Sequence, residues 1–142
     1  YSSRARWSPD IAARTGAMTT ALIVAGRDVK FANSLADSLV RLNGRMRHAH
    51  AMSSIGLIYG FSGIKMGALD EHSSVLNSWL PYIELSRLPQ GGAAFFGGKR
   101  NIGGDQYLGY SSIGNAMVGM MLASAEDRLF MHGGQEKDWF GH

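Results

Sequence analysis

The densest set of chemically capable side chains in this sequence lies in one Gly-rich stretch, Gly97-Gly98-Lys99-Arg100-Asn101-Ile102-Gly103-Gly104-Asp105-Gln106-Tyr107. It combines two cations, an amide, a carboxylate and a phenol. The backbone N–H groups of such a loop, together with its cations, can hold an anionic group. Lys99, Arg100 and Asn101 are therefore candidate substrate-binding residues, and Asp105 and Tyr107 candidate acid–base groups. His50 is a third catalytic candidate, because histidine changes charge near neutral pH. The plainer reading of the loop is structural, with Asp105 bonding backbone amides and Arg100 paired to a carboxylate. The plainer reading of His50 is a capping or packed side chain. The loop is not a P-loop, since Gly98-Lys99 is followed by Arg100 where Ser or Thr is required, and the leading Gly-x4-Gly spacing fails.

Other pairings are weaker. His48 and His50 could share a metal if their segment were extended, but on a helix positions i and i+2 diverge. No cysteine is present, which excludes disulfides and thiolate metal sites, and no His-x3-His or Glu-x-x-His spacing occurs. No metal and no cofactor is expected. Glu84 and Asp105 could form a glycosidase-like carboxylate pair, although nothing in the sequence fixes their separation. The methionines Met117, Met120 and Met121 read as core filler. Trp7, Trp79 and Trp139 read as packing anchors, or as stacking surfaces for a sugar if exposed.

The chain has 142 residues, enough for one domain with a real core. Charged residues make up 18% of it, below the usual quarter, while its 19 glycines are roughly double the average usage. Little charge and much glycine favour close backbone packing and a chain that packs against more protein. The net charge of +3 comes from scattered basic residues, not the dense stripe with interleaved aromatics that nucleic acid would need. No nucleic-acid partner is expected. No apolar run reaches the roughly 18 residues that span a bilayer, so no membrane span is expected. The start, Tyr1-Ser2-Ser3-Arg4-Ala5-Arg6-Trp7, is not an intact signal peptide and carries no Met. A processed product, secreted or periplasmic, or a piece of a larger protein is the expectation; the compartment itself stays open.

Helices must position these residues. Ser8-Pro9-Asp10 is a helix start, with Ser as N-cap and Pro at the first turn. A helix is predicted over Ile11–Ala25, ended by Gly26. A second runs over Asp28–Leu42, with Phe31, Leu35, Leu39 and Leu42 on one face, and Asn43-Gly44 stops it. A third, His50–Met66, is apolar nearly all round and carries Gly56, Gly60 and Gly63, which would let another backbone approach. A fourth, capped by Asp70, spans Glu71–Leu88, with Val75, Leu76, Trp79, Leu80, Ile83 and Leu85 apolar and Pro81 a possible kink. The stretch 89–109 is a long Gly-rich loop with seven glycines. A fifth helix spans Ser111 or Ser112 to Ala125. Leu129-Phe130-Met131 reads as a short strand, and 133–142 as a polar tail anchored by Trp139-Phe140.

The first, third and fifth helices form a weak internal repeat of small residues plus Met, separated by conventional amphipathic helices. That alternation fits two layers, with inner helices buried all round and outer ones half-exposed. It resembles an α/α-toroid of the terpenoid-cyclase and protein-prenyltransferase type. The turn Ser86-Arg87-Leu88-Pro89-Gln90-Gly91-Gly92-Ala93-Ala94-Phe95 is similar to the Gly-rich turn after an outer helix of such repeats. His48-Ala49-His50, the Trp79…Arg87 helix and the loop from Gly97 to Gly109 together resemble the C-terminal half of an uncharacterised bacterial α/α-toroid family. The resemblance covers about Ser8 to Gly134.

It implies an all-α chain, one domain over 1–142, forming helix pairs of a partial ring. Complete toroids carry more helix pairs, so a larger parent chain or a homo-oligomer is expected to cover the inner helices. It also implies a ring cavity lined by His50, Tyr59, Lys99, Arg100, Asn101, Asp105 and Tyr107, acting on or binding a polar or anionic ligand such as a carbohydrate. The Asp-rich signature of terpenoid cyclases and the zinc ligands of prenyltransferases are absent. The residue types of the cavity are those that toroidal polysaccharide lyases use, which is an analogy and no more. The alternative is a non-catalytic assembly module that packs against other protein.

Overall fold

The computed structural model describes residues 10–48, 53–89, 91–93 and 111–125. The described residues are all-helical, without strands. Five α-helices follow one another: α1 Ile11–Val24, α2 Val29–Arg41, α3 Ser53–Gly67, α4 Leu69–Leu85 and α5 Ser111–Ala125. A 3₁₀ helix, Asn43–His48, lies between α2 and α3.

Helices α1, α3 and α5 lie side by side with α3 in the middle, α2 packs across α1 and α3, and α4 packs across α3 and α5. The glycines explain how α1 and α3 come so close. A Cβ on Gly16 would fall on the Tyr59 carbonyl and lie 2.8 Å from the Gly60 nitrogen. One on Gly63 would lie 2.9 Å from the Gly16 Cα and 2.8 Å from Leu39 Cδ1. The two backbones therefore touch, with Ala12, Thr15 and Thr19 of α1 buried along the same seam. Gly60 serves a further partner: a Cβ there would meet Met46 Sδ at 2.8 Å. Met46 is fully buried and pins the 3₁₀ helix onto α3.

Local chemistry sets the helix ends. After α1 the Arg27 N–H bonds the Leu22 carbonyl at 2.9 Å and the Gly26 N–H the Ile23 carbonyl at 3.0 Å. Gly26 has φ +62°, so this is a Schellman ending built on the one residue type that enters that region without cost. Asp28 caps α2, its Oδ1 accepting from the Phe31 N–H at 3.3 Å. The buried face of α2 is Ala32, Leu35, Ala36 and Leu39. Leu35 and Leu39 of the predicted stripe are buried and Leu42 is half-buried, but Phe31 is 38% exposed and Ala32 and Ala36 complete the face in its place. Helix α4 begins two residues earlier than expected, with Asp70 and Glu71 inside its first turn, where carboxylates favour the helix dipole. It passes through Pro81 and ends at Leu85, three residues short of the expected Leu88.

The core joins α3, α4 and α5. The Phe61 ring, 2% exposed, meets His72 edge-on at 6.1 Å and Trp79 at 6.5 Å between centroids. Met117 and Met121 fill the α5 side. His72 is buried, and its Nε2 lies 3.1 Å from Ser124 Oγ. That hydroxyl donates to the Met121 carbonyl at 2.7 Å, so it accepts from His72, which fixes the Nε2–H tautomer. The toroid-type inner helices are expected to be buried all round; instead α1 and α3 keep an open face, with Met18 47% and Tyr59 45% exposed.

Candidate functional site

The catalytic candidates His50, Asp105 and Tyr107, and the binding candidates Lys99, Arg100 and Asn101, all lie outside the described residues. So do the Leu129-Phe130-Met131 strand, the 133–142 tail, and Ser8-Pro9. Three other residues singled out in the sequence are placed. Tyr59 is exposed on α3. Glu84 is exposed on α4 and bonded to Arg87, Oε2 to Nε at 2.6 Å, which keeps the Arg87 guanidinium above its ordinary pKa, first through the hydrogen bond and then through the charge. Asp105, the other carboxylate of the pair considered in the sequence, lies outside the described residues. His48 ends the 3₁₀ helix, and Ala49 and His50, which decide whether the two histidines face one ion, lie outside the described residues. Among the described residues no three His, Asp or Glu side chains come together as a metal site. None of their helices is long and apolar enough to cross a membrane.

A hollow of about 350 Å³ opens between α1 and α3, lined by Asp10, Ala13, Arg14, Ala17, Ile55 and Tyr59. Its floor is apolar and shallow because Ala13 and Ala17 carry small side chains. Tyr59 forms one wall. Its position follows from the Gly16 contact, which brings the Tyr59 backbone against α1. Asp10 and Arg14 sit one helical turn apart and pair at 3.2 Å, Nη2 to Oδ2. The Arg14 side chain is 74% exposed, so most of its N–H fork faces solvent. An aromatic wall, an apolar floor and a guanidinium with free donors form a surface that can stack a ring and bond its oxygens.

A second, smaller hollow of about 210 Å³ sits at the root of the Gly-rich loop, lined by Ile83, Arg87, Gly92, Ala93, Asn115, Val118 and Leu122. Here the chain turns back on itself. The Gly91 N–H bonds the Leu88 carbonyl at 2.9 Å and the Leu88 N–H the Gly92 carbonyl at 3.0 Å. Gly91 and Gly92 have φ +92° and +86°, which explains the paired glycines at this turn. Arg87 and Ala93 form an antiparallel bridge, and the Ala93 N–H donates to Asn115 Oδ1 at 2.7 Å.

Sequence reasoning missed Asp10, Arg14 and Asn115 as site residues. For Asn115 a signal existed: one amide in an otherwise small and apolar helix, directly after a Gly-rich stretch. It also missed His72, although 72, 75, 76, 79 and 83 share one helical face and place the imidazole on the buried stripe. No family model, no curated protein and no solved structure matches this chain.

Proposed function

We propose that this chain is part of an α/α-toroid-type domain that binds a polar ligand, a carbohydrate in particular, on the open face of α1 and α3. The single observation that carries the reading is the hollow beside Tyr59. Tyrosine offers a flat apolar ring face with a polar tip, which suits a sugar whose faces are apolar and whose rim is hydroxylated. Arg14 supplies donors for ring oxygens and would favour a sugar bearing a carboxylate. The sequence stretch Lys99–Tyr107 carries residue types of the same kind, cations with an amide, and lies outside the described residues.

Titration calorimetry with neutral and uronate-containing oligosaccharides tests this. The native chain is expected to bind at least one of them, and Tyr59→Ala to lose that binding. An exposed tyrosine contributes little to the fold, so its removal should shift stability by no more than about 0.5 kcal/mol. Binding unchanged in Tyr59→Ala would remove the hollow from the reading.

A second reading, an assembly module, is favoured by one specific observation. Leu85 at 87% and Leu69 at 59% exposure on α4, with Met18 on α1, are apolar side chains left in water, and a partner that covered them would remove that surface from it. On this reading the native particle sediments as a multiple of the 15.4 kDa chain; a monomer that stays in solution at high concentration would count against it.

A further inference from the structure

The smaller hollow, between the end of α4 and one face of α5, shares no residue with the hollow of α1 and α3. Its walls divide by chemistry. Ile83, Val118 and Leu122 make one side apolar, and Leu122 is 43% exposed at the edge. The other side carries two polar side chains, Arg87 and Asn115, each held by a contact of its own. Glu84 grips the guanidinium from the side, Oε2 to Nε at 2.6 Å and Oε1 to Nη2 at 2.8 Å. Both N–H groups of Nη1 and one of Nη2 then make no bond among the described residues. Asn115 Oδ1 accepts from the Ala93 N–H at 2.7 Å, which turns Nδ2 the other way and leaves its N–H groups available. Gly92 keeps this amide uncovered, since a Cβ there would lie 2.7 Å from Oδ1 and 3.0 Å from Nδ2.

We propose that this hollow binds a small aliphatic monocarboxylate, with its oxygens on Arg87 and Asn115 and its hydrocarbon on Ile83, Val118 and Leu122. What the two fixed polar groups still offer is N–H, so they select an acceptor. A guanidinium pairs a carboxylate through two parallel N–H bonds, and with Glu84 on one edge the Nη1–Nη2 edge remains for a second carboxylate. Size sets the limit. The volume of about 210 Å³ equals about seven water-sized groups at roughly 30 Å³ each. A branched acid such as isovalerate matches that size, and an oligosaccharide exceeds it.

Sodium isovalerate titrated into the isotopically labelled chain at neutral pH tests this. Saturable amide shifts at Arg87, Gly92, Ala93, Asn115 and Val118 are expected, with a Kd of about 1 mM, as suits a ligand of few atoms in an open site. Isovaleramide keeps the shape without the charge, and acetate keeps the charge without the branched body. Each is expected to bind at least about tenfold more weakly. Arg87→Gln should lose at least about tenfold in affinity at native Tm, because the Arg87 side chain is 66% exposed. Leu122→Trp fills the hollow from its exposed edge and is expected to abolish the shifts, which decides the matter if Arg87→Gln lowers Tm. No saturable shift in the native chain, or equal affinity for isovaleramide or acetate, would overturn the proposal. So would native affinity in Arg87→Gln, or shifts that persist in Leu122→Trp.

Discussion

Gly16→Ala is expected to cost this chain at least about 3 kcal/mol, the upper end of what overpacking usually costs. Most overpacking is absorbed by side chains that shift. Here the new methyl would meet backbone, the Tyr59 carbonyl and the Gly60 nitrogen, and neither can move without moving α3. Helix α3 in turn touches every other helix, so a displaced α3 disturbs the whole arrangement. A domain of this size has about 5–15 kcal/mol of stability in total, so the loss would be a large share of it. Gly119→Ala in α5 is the matching control. Nothing lies within 4 Å of its added Cβ, and alanine should stabilise the helix by roughly 0.5–1 kcal/mol. Urea unfolding followed by far-UV circular dichroism measures both. Equal stabilities for the two variants would mean that α1 and α3 do not touch through their backbones.

Phe61→Ala is the second large effect, expected at about 3–5 kcal/mol. Phe61 lies between the His72 and Trp79 rings, each meeting it near a right angle, at 85° and 81°. Such edge-to-face contacts add to the burial itself. Removing the ring would leave a cavity at the junction of α3 and α4 and loosen the His72–Ser124 bond that carries α4 onto α5. The same unfolding experiment checks it, and Phe61→Leu, which refills most of the volume, should recover a good part of the loss. A cost below about 1 kcal/mol, the level of a surface substitution, would contradict the central place given to this ring.

Much of the fold was legible. The five helices follow from apolar spacing at 3.6 residues per turn, and the α1 stop from Gly26 alone. The glycines of the third helix correctly announced a close backbone neighbour. Which neighbour was not readable, because Gly16 sits in α1 among alanines and threonines that give no pattern of their own. The place of Ala32 on the buried α2 face instead of Phe31 was equally hidden, since a large ring is the stronger hydrophobic signal. Open faces on α1 and α3 escaped the sequence for a related reason, since an all-round apolar helix looks buried whether or not anything covers it. The candidate site was legible only as residue types. Lys99, Arg100, Asn101, Asp105, Tyr107 and His50 stand outside the described residues, while the hollow depends on the helical-turn pair Asp10–Arg14 meeting Tyr59, which only the packing of α1 on α3 brings about.

The most direct test is an amide chemical-shift map of the isotopically labelled chain titrated with neutral and uronate-containing oligosaccharides. Saturable shifts centred on Ala13, Arg14, Ala17, Ile55 and Tyr59 are the predicted result. An unchanged spectrum, or shifts that avoid α1 and α3, would contradict a ligand site on their open face.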